Sequence, residues 1–140
     1  MKHILSYVST ANIYPHSLEI HELFRQTEHT NNDLGISGML VYSDGHFFQI
    51  LEGDKEDVLN VYSKIIKDNR HYDIIKILDA PCSHRFFYRF NIPYKAINED
   101  NSHKELNLFL QWKKITNPKH YKSFYHVLKN FLRVPYLLPI

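Results

Sequence analysis

Residues Asn31 to Glu52 read NNDLGISGMLVYSDGHFFQILE, and no other stretch restricts the possible folds as strongly. Two apolar segments flank Ser43-Asp44-Gly45, and Asp-Gly tolerates the positive φ values that a hairpin turn requires. Gly35 to Tyr42 is therefore predicted as a strand, with glycines that allow close backbone approach. His46 to Glu52 is the returning strand, with Phe47, Gln49 and Leu51 pointing one way and Phe48 and Ile50 the other. A strand that is apolar on both faces needs cover on both. The amide of Gln49 is awkward in such a strand unless the core needs a donor and an acceptor at one point.

The flanking segments supply that cover. Lys2 to Ser9 reads as a strand with Leu5, Tyr7 and Ser9 on one face and Ile4, Ser6 and Val8 on the other. Pro15-His16-Ser17 opens a helix with Ser17 as N-cap, and Ile20, Leu23, Phe24 and Thr27 form its buried stripe. That helix ends near Thr30-Asn31-Asn32. Asp54 is expected to cap a second helix, whose stripe is Val58, Val61, Tyr62 and Ile65 and which closes at Asp68-Asn69-Arg70-His71. Two more strands are expected, at about Asp73 to Leu78 and about Arg85 to Pro93, separated by Ala80-Pro81. Lys95 to Asn101 reads as a polar linker. Helices follow at Ser102 to Ile115 and Lys119 to Leu132, broken by Asn117-Pro118.

The order strand, helix, strand, strand, helix, strand, strand is that of an α+β, ferredoxin-like βαββαββ sheet. Two helices lie on one face, and the two C-terminal helices cover the other. The expected division is residues 1–94 as a ligand-binding domain and 95–140 as a helical cap packed on its sheet, together one compact unit.

Composition narrows the function. A chain of 140 residues suits one domain with a substantial core, and its ten Tyr and nine Phe fill that core. A formal charge of +2 does not by itself imply nucleic-acid binding, and Lys113, Lys114, Lys119 and Lys122 read as a solvated helical face. The single cysteine, Cys82, leaves no intramolecular disulfide and no Cys-based metal site. His16 and His21 lie five apart and His120 and His126 six apart, neither being the i,i+4 spacing of a helical metal pair. No signal peptide and no membrane-length apolar run is visible, so a soluble cytoplasmic protein without membrane contact is expected.

Strand parity puts Tyr7 and Gln49 on the surface that faces the first two helices. A buried Gln carries two donors and two acceptor lone pairs, and leaving them unpaired costs about 1–3 kcal/mol. A flat heterocycle between the helices would pair with them. A closed core in which Gln49 bonds only Tyr7 and backbone would do so too.

The motifs SYVS, NNDLGISGMLVYSDG, HFFQILEG and KIIKDNRH occur in an order and spacing that resemble the BLUF domain, the blue-light sensor using FAD. The resemblance spans about Lys2 to Ile92. It implies that Tyr7 is the tyrosine that gives an electron and then a proton to the excited flavin. Gln49 matches the glutamine that bridges this tyrosine and flavin N5, and Asn31 the asparagine that bonds the pyrimidine side of the ring. Asn31 also suits a helix C-cap. Thr30 stands where the family often has Asn or His. Lys64, Arg70 and His71 match the basic side chains near the flavin, although cations also suit a helix C-terminus. Ile20 and Ile36 are expected as apolar plates on the two ring faces, although core packing alone also accounts for them. Phe90 and Ile92 stand where the family commonly has Trp and Met, the Met lying close to the glutamine.

The implied protein is a short photoreceptor that binds FAD, with FMN as the alternative. It would have no turnover activity, form a homodimer or higher homo-oligomer, and signal to a protein partner. Two other classes compete. A ferredoxin-like enzyme would be a flavin-dependent oxidoreductase, needing a substrate opening where Tyr7 and Gln49 sit, or an acylphosphatase-type hydrolase, needing an Arg cradle at a Gly-rich loop. A flavin-free interaction module would purify colourless.

Overall fold

The computed structural model describes residues 1–14, 17–98 and 104–131, with the side chains of residues 97, 98, 130 and 131 left aside. The elements are β1 (Lys2–Ala11), α1 (Leu18–Asp33), β2 (Ser37–Ser43), β3 (His46–Asp54), α2 (Lys55–Ile65), β4 (His71–Pro81), α3 (Phe86–Arg89), β5 (Lys95–Asn98), α4 (Lys104–Thr116) and α5 (Pro118–Phe131). Of the expected element boundaries, Pro15, His16, Asn101, Ser102 and Leu132 lie outside the described residues.

The strands lie in the order β4-β1-β3-β2-β5. β1 pairs antiparallel with both β3 and β4, and β2 pairs antiparallel with β3. The first two strand–helix–strand units are thereby interleaved, as the ferredoxin-like reading requires. The hairpin between β2 and β3 turns at Asp44 and Gly45, whose φ values are 51° and 81°. Two successive left-handed residues match the twist of the flanking strands, and an Asp-Gly pair supplies them at low cost.

Each face of the sheet carries its own core. Leu5, Tyr7, Leu40, Phe47 and Leu51 pack with Ile20 and Phe24 of α1 and Val58 of α2. Ile4, Val8, Met39, Val41, Phe48 and Ile50 pack on the other face with Phe109 of α4 and Phe124 and Leu128 of α5. Ser17 Oγ accepts a hydrogen bond from Ile20 N at 3.3 Å and so caps α1 as expected. Asp54 stands at the N-cap position of α2, but its carboxylate makes no cap bond and instead pairs with Lys2 Nζ at 2.8 Å.

The fifth strand differs from the sequence expectation. Arg85 to Pro93 is not a strand; it contains the single helical turn α3, and the strand forms at Lys95–Asn98, within the expected linker. β5 runs parallel to β2, pairing Leu40 with Ala96. The cause lies at Glu52, whose side chain is completely buried. Its carboxylate accepts Phe86 N at 3.0 Å and Phe87 N at 3.1 Å. Successive amides of a strand point in opposite directions, so one carboxylate can take both only if the chain turns helically there. Arg85 fastens the same crossover, donating to Ser37 Oγ at 3.1 Å and to the Glu52 carbonyl at 3.2 Å.

Glu52 also feels the charge of the C-terminal helices. Burial pushes its carboxyl upward, opposed by the Phe87 and Phe86 amides, Ser37 and the charge of Lys113. Lys113 of α4 is itself 3% exposed, and burial pushes its ammonium down, opposed by Glu52. Its Nζ lies 3.2 Å from His120 Nδ1 of α5, where a neutral imidazole nitrogen can accept from the ammonium. Glu52→Leu strips the acceptor from two buried amides. The expected loss is about 2–6 kcal/mol of unfolding free energy in urea, at about 1–3 kcal/mol for each orphaned amide, with a smaller loss for Glu52→Gln, which keeps a carbonyl acceptor.

Candidate functional site

Tyr7 and Gln49 are direct partners in the β1–β3 register, so both side chains leave the sheet on the α1/α2 face. The Tyr7 hydroxyl donates to Gln49 Oε1. The opposite end of the amide, Nε2, donates to the Tyr94 hydroxyl at 2.5 Å. All three side chains are buried. Burial pushes the Tyr7 phenol well above its ordinary range, and the neighbouring Tyr94 adds to the shift. Burial also pushes Tyr94 up, against hydrogen bonds from Gln49 and Asn31. Both phenols therefore remain protonated at neutral pH and retain an O–H to donate.

Above this row the two helices stand apart and leave a cleft of about 230 Å³. Tyr7, Thr30, Asn31, Gln49, Lys64, Arg70 and His71 line it, so seven of the ten residues singled out from the sequence meet there. Leu23, Leu40, Phe47, Val61 and Ile65 supply apolar walls. The cleft explains why Val61 and Ile65 of the expected α2 stripe are only half-buried: they face this space instead of a closed core.

The basic residues are positioned by local chemistry. Arg70 donates from Nε to Asp68 Oδ1 at 2.9 Å and from a terminal nitrogen to Asp68 Oδ2 at 2.6 Å. This two-point contact holds the Asp68 carboxyl below the usual carboxylate range and orients the guanidinium at the cleft wall. His71 begins β4, with Nε2 2.7 Å from the Ile65 carbonyl and Nδ1 2.7 Å from Ser9 Oγ. The carbonyl can only accept, so Nε2 carries the proton and Nδ1 takes the Ser9 hydroxyl. His71 thus links the end of α2 to β1 while its ring faces Tyr7 at a centroid distance of 6.0 Å.

The other three residues are placed differently. Ile20 of α1 and Ile36 are buried in the core of this face and are not among the residues lining the cleft. Ile92 lies on the opposite face, packed against the core of Phe86, Phe87 and Phe109, so it does not approach Gln49. Phe90 is 51% exposed. The chain is still turning at Asn91, where φ is 54°, and enters the sheet only after Pro93. Tyr94 therefore takes the place beside Gln49 that the resemblance gives to the family's Met at the Ile92 position. The alternation Tyr94-Lys95-Ala96 after Pro93 is the signal that would have revealed it. Asp68 carries no separate signal in the sequence, because within DNRH it reads as an ordinary helix end.

A flat, polar ring suits this arrangement. Asn31 Oδ1 is buried without a hydrogen-bond partner among the described residues, and such an orphaned acceptor calls for a donor from a bound molecule. The imide N–H of a flavin has that character. Gln49 offers a bridging amide, the apolar walls suit ring faces, and Arg70 and Lys64 suit carbonyl or phosphate oxygens. Among the described residues no group of three His, Cys, Asp or Glu side chains is placed to hold a metal. No helix there is long and apolar enough to cross a membrane.

Residues 3–93 match the family model described as BLUF, sensors of blue-light using FAD. The photoactivated adenylate cyclase subunit beta of Euglena longa is 36% identical over 83 residues, 59% of this chain and 10% of that protein. The blue light- and temperature-regulated antirepressor BluF of Escherichia coli (strain K12) is 37% identical over 60 residues, 43% of this chain and 15% of that one. The chain thus matches only a small part of the length of these relatives. A solved structure described as the BlsA photo-activated state aligns at a TM-score of 0.65 and 28% identity, covering 94% of this chain and 92% of that one. The match over most of the chain, on a fold with the same layered sheet, shows that this protein belongs to the BLUF family of blue-light sensors that use FAD.

Proposed function

We propose that Tyr7 and Gln49 form the photoactive element of this sensor, with Asn31, Thr30, Lys64, Arg70 and His71 holding the flavin between α1 and α2. The observation that carries the reading is the Tyr7–Gln49 hydrogen bond on the floor of a cleft whose wall presents the unpartnered Asn31 oxygen. Bound flavin supplies the absorption of blue light and a ring edge able to exchange hydrogen bonds. The protein's part is to position that edge against Gln49, to exclude water from the two phenols, and to keep the Tyr7 proton on its oxygen until light acts. After excitation the Gln49 amide rearranges between its neighbours. Ile20 and Ile36 act indirectly, by filling the layer behind the cleft wall.

A single rearranged amide contributes about 1 kcal/mol, whereas a full population switch needs roughly 5.5 kcal/mol. Light must therefore create a metastable state that the surrounding structure amplifies. Glu52 lies three residues beyond Gln49 on β3 and binds α3, while Lys113 of α4 acts on its charge. This strand and the C-terminal helices form the route we assign to output. Residues 1–94 carry the sensing layer and α4 and α5 the cap, while β5 completes the sheet from beyond residue 94. The output is a contact with a protein partner in the cytoplasm, made by a homodimer or higher homo-oligomer, and not a turnover reaction at the cleft. Tyr7 and Gln49 occupy the space that a flavin-dependent oxidoreductase would keep for substrate.

An absorption spectrum recorded before and after blue illumination should show a flavin band that moves to longer wavelength and returns in the dark. A colourless protein, or a band unmoved by light, overturns the reading. Gln49→Leu should keep the yellow colour and lose the shifted state; a normal shift in that variant would remove Gln49 from the mechanism. Asn31→Ala leaves a ring donor unpaired. It should weaken flavin retention by about 1–3 kcal/mol, roughly fivefold to 150-fold in a dissociation measurement.

A further inference from the structure

The Gln49 amide is held between two phenols. Its oxygen accepts from Tyr7 and its nitrogen donates to Tyr94 at 2.5 Å. Tyr94 is 2% exposed, and its seat is built by residues from three other elements. Asn32, at the end of α1, grips its backbone from both sides: Tyr94 N donates to Asn32 Oδ1 at 3.1 Å, and Asn32 Nδ2 donates to the Tyr94 carbonyl at 3.4 Å. The next pleat is held likewise, with Ala96 N donating to Glu28 Oε2 at 2.9 Å. The ring passes Gly38, where an added Cβ would lie 3.2 Å from Tyr94 Cε2 and 2.0 Å from the Ile50 carbonyl oxygen.

A carboxamide presents an acceptor at one end and donors at the other. When it reverses end for end, each neighbour must exchange its role. An apolar neighbour satisfies neither orientation, and a neighbour that only donates satisfies one. A phenol has one donor and two acceptor lone pairs, so it satisfies both. We propose that Tyr94 is the second phenol of the switch, a positioning residue that accepts from Gln49 Nε2 in the resting arrangement and donates to Gln49 Oε1 in the reversed one. It thereby sets how long the light state lasts. This rests on the reading of Gln49 as the rearranging amide, and it concerns a part of the site that the flavin does not occupy.

The consequence is kinetic. Return from the reversed arrangement begins by breaking the Tyr94 O–H to Gln49 bond, so that bond adds to the barrier of recovery. The bond made in the resting arrangement does not enter that barrier, because it forms only afterwards. Removing the hydroxyl therefore accelerates recovery, and strengthening it as a donor slows recovery.

The test measures dark recovery of the shifted flavin band in the flavin-loaded full chain. Tyr94→Phe should bind flavin, form the shifted state and recover about fivefold faster, the factor that one neutral hydrogen bond corresponds to. Replacing Tyr94 by 3,5-difluorotyrosine keeps the ring and the hydroxyl but makes a better donor, so recovery should slow by at least twofold. A merely structural role would not move the two variants in opposite directions. In isotope-edited infrared difference spectra, the Gln49 carbonyl band of the light state should rise in frequency in Tyr94→Phe and fall in the fluorinated protein. Should Tyr94→Phe fail to hold flavin, the fluorinated protein alone decides. Recovery within twofold of the parent in the fluorinated protein, or equal recovery in both variants, overturns the role of Tyr94. A parent protein that shows no light-induced shift overturns instead the underlying reading of Tyr7 and Gln49.

Discussion

The antiparallel register that sets Tyr7 opposite Gln49 governs most of what this domain can do, because it brings a phenol and an amide together inside an otherwise apolar layer. Neither group tolerates burial without a partner. Once they bond to each other, the spare capacity of the amide has to be met from the same face, and Tyr94 meets it on one side. The cleft remains on the other. The helices cannot close over this polar row as they do over Leu5 and Leu51, and the gap between them is what a flavin needs.

The two faces of the sheet divide the labour. The α1/α2 face holds the cleft, with Asp68 orienting Arg70 and His71 tying α2 to β1. The opposite face carries the aromatic core under α4 and α5 and the buried Glu52–Lys113 charges. β3 belongs to both, presenting Gln49 to one layer and Glu52 to the other. A change of hydrogen bonding at Gln49 therefore has a short covalent path to the element that positions α3 and faces α4. Burial makes that path sensitive, since a charge in a low-dielectric interior responds strongly to small displacements of its partners.

Much of this was legible from residue order. Alternation along β1 and β3 assigned side chains to their faces, the Asp-Gly turn defined the hairpin, and the resemblance carried by FFQILEG and DNRH implied residues that line the cleft. The fifth strand was not legible. RFFYRFNI has strand-like composition, but Glu52 draws two successive amides into a helical turn, and no local pattern announces a carboxylate from so far along the chain. The polar look of Lys95 to Asn98 concealed a short edge strand held by Asn32, Glu28 and β2.

The sequence by itself determined which residues share a face, where the hairpin turns, and that a phenol and an amide lie on the side of the first two helices. Those properties follow from periods of two and 3.6 residues and from turn chemistry, all local. Tertiary structure alone decided that Tyr94, and not Ile92, completes the surroundings of Gln49. It also decided that Ile20 and Ile36 stand behind the cleft wall and that Asp54 pairs with Lys2 instead of capping α2. Each of these outcomes turns on a buried or charged group choosing among partners distant in sequence. That choice is made by which partner the packed chain brings within hydrogen-bonding reach.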